Sequence, residues 1–176
     1  MRLIGLAGKA GTGKDTVAAY LKEQYGYDRY GLADPIKSML RQILVLFDNP
    51  ALKELPHPLF GKSPRYMAQT LGTEWGRNLI HPDLWLICAG QAFEWLQKQP
   101  GFVGIVISDV RFENEAAWVR AQGGQIWHVL RPSAAPVEAH VSEAGVGYVE
   151  GDEVINNIGS IEDLQQKIEW RIGTAL

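Results

Sequence analysis

The chain has 176 residues, 46% hydrophobic and 21% charged, with a formal net charge of −3 at pH 7; this describes one globular domain with material for a substantial core. The mild acidity, without a long basic run, argues against a general nucleic-acid-binding surface. Cys88 is the single cysteine, which excludes an intrachain disulfide and reads as a core thiol; the apolar runs are too short for a signal peptide or a membrane span, so the expected location is cytoplasmic.

The first apolar run, Leu3-Ile4-Gly5-Leu6-Ala7, reads as a buried strand. It leads directly into Gly8-Lys9-Ala10-Gly11-Thr12-Gly13-Lys14-Asp15-Thr16. The stretch follows the phosphate-loop pattern G-x-x-x-x-G-K-[ST] except at its last position, where Asp15 replaces the hydroxyl residue and Thr16 supplies a hydroxyl one place later. In such a loop, backbone N–H groups and a helix N-terminus cradle phosphates while the lysine reaches the β and γ positions. A helix is expected over residues 14–25, because Val17, Leu21 and Tyr25 share one face and Gly26 supplies the stop.

Further strands are expected at residues 103–107, 125–130 and 153–155, with a weaker one around 30–32. Helical stretches alternate with them: 36 to about 47, 65–79, 84–96, 113–122, and a last helix opened by the capping box Ser160-Ile161-Glu162-Asp163. Strands alternating with helices predict a three-layer α/β/α sandwich on a parallel sheet of about five strands. Two segments lack a regular pattern, residues 48–63 and 131–151, and their length makes each a candidate functional flap, the first a candidate substrate-side flap and the second a candidate lid.

Four arginines, Arg65, Arg77, Arg111 and Arg131, fall at element ends or in these flaps. Planar guanidinium forks suit the neutralisation of transferring phosphoryl groups, which is chiefly a matter of positioning and electrostatics. Arg111 and Asp109 lie at the carboxyl end of the strand at 103–107, where open parallel sheets bind ligands. Asp109 is a candidate for Mg²⁺ through water; a structural ion pair or a helix cap is the alternative for both residues.

Taken together, several blocks in order make the chain recognisable. They are Gly13-Lys14-Asp15-Thr16, Ala33-Asp34-Pro35-Ile36-Lys37, Ser63-Pro64-Arg65, Leu71-Gly72-Thr73-Glu74-Trp75-Gly76-Arg77, Asp83-Leu84-Trp85, Asp109-Val110-Arg111-Phe112-Glu113-Asn114-Glu115, His140-Val141-Ser142-Glu143 and Ile155-Asn156-Asn157-Ile158-Gly159-Ser160. The chain resembles the phage-type deoxynucleoside monophosphate kinases over nearly its whole length. The resemblance implies Mg²⁺-dependent transfer of the γ-phosphoryl group of ATP to a deoxynucleoside 5′-monophosphate, with no nucleic-acid or membrane partner. The oligomeric state stays open, a homodimer included; for a phage-encoded chain the location is the host cytoplasm.

Carried over by position, Gly11, Thr12, Gly13, Lys14, Asp15 and Thr16 grip the ATP phosphates, with Asp15, Thr16 and Asp109 as the metal candidates. Lys14, Arg111 and Arg131 are the catalytic candidates. Lys9, Lys37, Arg65 and Arg111 surround the acceptor phosphate, while Gln69, Trp75 and Trp85 line the base pocket or else belong to the core. Ile36, Arg77, Glu115 and His140 complete the substrate-side set, with Glu143 near His140. Lys37 is equally readable as a solvated helix residue. Asn157 lies where related kinases hold adenine, and is equally readable as a turn residue. Two other functions fit the loop: a dephospho-coenzyme A kinase-like small-molecule kinase, and a nucleotide-dependent switch that hydrolyses ATP without an acceptor.

Overall fold

The computed structural model describes residues 3–44, 47–132 and 145–174. By their contacts they form two compact units, one from residues up to Gly31 together with those from Ala92 onward, and one from Leu32–Gln91.

The first unit is built on five parallel strands: β1 (Leu3–Ala7), β2 (Asp28–Tyr30), β3 (Ile105–Val110), β4 (Gln125–Leu130) and β5 (Glu153–Asn156). Their order across the sheet is β2-β3-β1-β4-β5, all pairs parallel. Helices α1 (Lys14–Tyr25) and α6 (Ile161–Thr174) cover one face. There Val17, Leu21, Leu164 and Ile168 pack with Ile4, Leu6, Val106, Trp127, Val129 and Ile155, all essentially excluded from solvent. Helix α5 (Glu113–Ala121) covers the other face, bringing Val119 against Gly5 and Ile126. The expected parallel α/β sandwich is therefore present. Fully buried strands read as continuous apolar runs because both faces are covered, which is why β1 and β4 stand out in the sequence.

Several boundaries differ from expectation. The strand expected at 103–107 begins and ends later, so Ser108 and Asp109 lie within β3, whose Val110 pairs with Ala7. One of the two edge strands is β2, two residues earlier than the Tyr30-Gly31-Leu32 candidate; its register on β3 runs from Asp28 opposite Ile105 to Tyr30 opposite Ile107. An edge position explains why a strand can read Asp-Arg-Tyr. The capping box at α6 forms in both directions: the Ser160 hydroxyl accepts from the Asp163 N–H at 3.2 Å, and the Asp163 carboxylate accepts from the Ser160 N–H at 2.8 Å.

The second unit holds α2 (Asp34–Arg41), a 3₁₀ turn at Pro50–Leu52, α3 (Pro64–Thr70), a π-helix at Leu71–Ile80, and the start of α4 (Leu84–Leu96). Helix α2 ends well before residue 47. Its last turn tightens into bonds from the Gln42 N–H to Met39 and the Ile43 N–H to Leu40, and Arg41 then pairs through Nε and Nη2 with Asp48 at 2.7 and 2.9 Å. The stretch expected as one helix over 65–79 instead changes period after Thr70. At its end the His81 N–H bonds to the Gly76 carbonyl five residues back, the signature of a π turn. Cys88 is half-buried on α4, not enclosed in the core.

Candidate active site

The loop joining β1 to α1 sits where the strand order reverses, with β3 on one side of β1 and β4 on the other. Crevices outside the carboxyl ends of strands at such a switch point are the ligand sites of open α/β sheets. Within the loop the Thr12 hydroxyl donates to the Lys9 carbonyl at 2.9 Å. The Lys14 ammonium curls back over the loop and donates to the Gly8 carbonyl at 2.6 Å and the Lys9 carbonyl at 2.8 Å. Gly13 has φ 103°, a left-handed conformation that other L-residues adopt only with strain. The loop therefore presents a lysine cation and the N-terminus of a twelve-residue helix together, the combination that attracts a phosphate chain.

Asp15 lies at the first turn of α1 with its carboxylate largely in solvent, 2.5 Å from the Arg29 guanidinium on β2. Arg29 has no place among the sequence candidates. Nothing in a Tyr-Asp-Arg-Tyr stretch marks it, because its partnership depends on β2 lying beside the strand that flanks β1. Thr16 is exposed, and Asp109 is half-exposed near the carboxyl end of β3. Among the described residues there is no cluster of three or more His, Cys, Asp or Glu side chains that could hold a metal. A hydroxyl and carboxylates are hard oxygen donors, and Mg²⁺ typically takes only one or two carboxylates, with water and substrate phosphates completing its shell; the donor set suits that ion.

Arg111 follows β3 directly. Its backbone N–H and that of Phe112 both donate to the Glu115 carboxylate, at 2.6 and 3.1 Å, and Glu115 is 2% exposed. Glu115 thus organises the turn that carries Arg111. Asn157, just past β5, is also buried; its side-chain amide donates to the Thr12 carbonyl at 2.9 Å. Arg131, exposed, directly follows β4. His140 and Glu143 lie outside the described residues, as does most of the expected lid.

The return limb of that segment is described from residue 145 and is held to the sheet by charge. The Asp152 carboxylate accepts from Arg120 on α5 through Nε at 3.0 Å and Nη2 at 2.7 Å, from His128 Nε2 on β4 at 2.9 Å, and from the Val149 N–H at 3.0 Å. Burial pushes this carboxyl upward, but the hydrogen bonds from Arg120, His128 and Val149 outweigh it and bring its pKa down to about 2. Glu113 adds a second tie, accepting from the Gly147 N–H at 2.6 Å.

In the second unit, Lys37 pairs with Asp34 at 3.1 Å and Arg65 with Glu54 at 3.0 Å. Arg65 follows Ser63-Pro64, whose serine hydroxyl caps α3 by accepting from the Tyr66 N–H. Arg77 reaches the Pro82 carbonyl at 3.4 Å, Gln69 is half-buried and Trp75 is 41% exposed. Ile36 and Trp85 are core residues, at 6% and 3% exposure, packed with Leu40. The Trp85 indole donates to the Gly72 carbonyl at 2.8 Å and lies against Gly76, so its ring is committed to the π-helix.

Comparisons with known proteins bear on this arrangement. Among solved structures, TT1252 from Thermus thermophilus superposes with a TM-score of 0.54 at 18% identity, covering 99% of this chain and 98% of that one. The dephospho-CoA kinase from Campylobacter jejuni does so with a TM-score of 0.53 at 15% identity, covering 98% and 96%; at such identities the likeness concerns the fold. The deoxynucleotide monophosphate kinase of Enterobacteria phage T4 is 27% identical over 237 residues, covering 96% of this chain and 98% of its own. A protein of Acanthamoeba polyphaga mimivirus, provisionally named for the same activity, is 32% identical over 182 residues, covering 96% and 94%. The family model for deoxynucleotide monophosphate kinases matches residues 2–54 and 62–168. With the phosphate loop at the switch point and a match over nearly all of its length, the chain belongs to the phage-type deoxynucleotide monophosphate kinase family.

Proposed function

We propose that the protein phosphorylates deoxynucleoside 5′-monophosphates with ATP as donor and Mg²⁺ as metal. The observation that carries this reading is the loop at the carboxyl end of β1, with Lys14 held on the Gly8 and Lys9 carbonyls above the start of α1, in a chain matched by that family along both units. In the reaction an oxygen of the acceptor phosphate bonds to the γ-phosphorus as the bond to the β,γ-bridging oxygen breaks, and ADP leaves.

The roles proposed for individual residues are those implied by the family resemblance. Lys14 and the N–H groups from Gly11 to Thr16 bind and orient the donor phosphates. Thr16, with Asp109 and Asp15 through water, would hold Mg²⁺, and the ion would supply charge neutralisation at the phosphate oxygens. Arg111, on the turn organised by Glu115, stabilises the transferring group, and Arg131 enters from the lid. In the second unit Lys37 and Arg65 bind the acceptor phosphate; each is now paired with a carboxylate and exchanges it for the phosphate. Trp75 and Gln69 meet the base, whereas Ile36 and Trp85 shape that surface from beneath. Lys9, Arg77 and His140 complete the acceptor side, whereas Glu115, buried beneath Arg111, acts through the turn and not by contact with substrate.

A coupled ADP-release assay against a panel of deoxynucleoside monophosphates and dephospho-coenzyme A tests this reading, with Lys14→Ala as control. The expected result is turnover on one or more of the monophosphates that the control loses. Activity on dephospho-coenzyme A alone, or ATP consumption indifferent to every acceptor, refutes it. Full activity in the Lys14→Ala protein removes the loop from the donor site.

A further inference from the structure

Asn157 joins three parts of the first unit. Its backbone N–H donates to the Leu130 carbonyl at the end of β4, at 2.7 Å, and it immediately follows β5. Its side-chain amide reaches the Thr12 carbonyl across 145 positions of sequence, in a buried hydrogen bond of 2.9 Å. The residue is 7% exposed.

The consequence comes from peptide geometry. The Thr12 carbonyl and the Gly13 N–H belong to one planar unit, and among the described residues no peptide bond is cis. In a trans peptide these two groups point in opposite directions, so a donor that holds the Thr12 oxygen aims the Gly13 N–H away from itself. Thr12 is tied from its own side as well, because its hydroxyl donates to the Lys9 carbonyl. The close fit leaves Gly13 no room for a side chain: a Cβ there would lie 2.5 Å from the Asn157 Nδ2, and φ 103° already favours glycine.

We propose that Asn157 is a positioning residue of the phosphate loop: by holding the Thr12 carbonyl it aims the Gly13 N–H at the phosphate chain of the bound nucleotide. The inference rests on the reading of the loop as the donor site. A donor aimed before the ligand arrives does not have to be reoriented on binding, which is where such a bond contributes affinity. Contact with the adenine, the other role open to this side chain, makes a different prediction about which ligands feel its loss.

Inorganic tripolyphosphate carries the phosphate chain without a base, and it separates the two roles. Its affinity and that of ATP are measured by calorimetry for wild type, Asn157→Asp and Asn157→Ala. Positioning predicts that both ligands weaken by the same factor, about ten-fold for loss of one aimed hydrogen bond, with the acceptor KM changed less than about two-fold. Weakening of ATP alone overturns the proposal in favour of adenine contact, and equal weakening of the acceptor overturns it in favour of general loss of structure. In the unsubstituted protein, slow exchange of the Asn157 side-chain amide protons and a shift of the Gly13 amide resonance with tripolyphosphate are expected; fast exchange or an unmoved resonance overturns it without any variant. Should wild type bind neither ligand, the donor-site reading falls and takes this inference with it. Should Lys14→Ala abolish binding while both Asn157 variants bind as wild type, only the inference falls.

Discussion

Asp152 offers the most quantitative test of how the limb described from residue 145 is anchored. Its side chain is 2% exposed and receives Arg120, His128 and the Val149 N–H, and its pKa falls from 3.8 to about 2 in the folded protein. A carboxyl whose folded pKa is depressed contributes stability that is fully present above its unfolded value and is lost as pH falls through the folded one. At roughly 1.4 kcal/mol per pH unit, this carboxylate contributes about 2 kcal/mol at neutral pH, and the loss runs from about pH 4 down to about pH 2. Asp152→Asn keeps the shape and removes the charge, while Arg120 and His128 stay partly buried, with side-chain exposures of 23% and 10%. Urea denaturation at pH 7 should place the variant about 2 kcal/mol below wild type, a drop of roughly 4–8 °C in Tm for a chain of this size. The gap should close as pH approaches 2. A gap of the same size at pH 6 and pH 2.5, or one under about 0.5 kcal/mol at pH 7, would refute the electrostatic account of this anchor.

Three further outcomes follow from the same geometry. Glu115→Gln replaces a buried anion that accepts from two backbone N–H groups; it should cost about 1–3 kcal/mol in denaturation and lower kcat by loosening the turn under Arg111, and unchanged stability would contradict its assigned part. Gly76→Ala places a methyl group 2.5 Å from the Trp85 ring, so it should cost about 1–3 kcal/mol through overpacking; steady-state kinetics should show a raised acceptor KM with the KM for ATP unchanged, and the reverse pattern would separate the π-helix from the acceptor. Arg131→Ala should lower kcat by more than it weakens ATP binding measured by calorimetry, and a variant with normal turnover takes Arg131 out of the mechanism.

What the sequence determined by itself was everything that depends on neighbours within a turn or two. Gly8 to Thr16 specifies a phosphate loop because glycine conformational freedom and a lysine at a helix start are local properties. The Ser160–Asp163 capping box is equally local, and the continuous apolar strands announced a sheet covered on both faces. The change of helical period after Thr70 is not legible in the sequence because it depends on where Trp85 lies: Gly72 and Gly76 leave space, and only packing fills it with an indole that donates to a backbone carbonyl. Tertiary structure alone decided the partners of the site residues, pairing Asp15 with Arg29, Asn157 with the Thr12 carbonyl, and Asp152 with Arg120 and His128. Those pairings follow from which strands become neighbours in the order β2-β3-β1-β4-β5. That order is settled by burial of the whole sheet, and no spacing along the chain contains it.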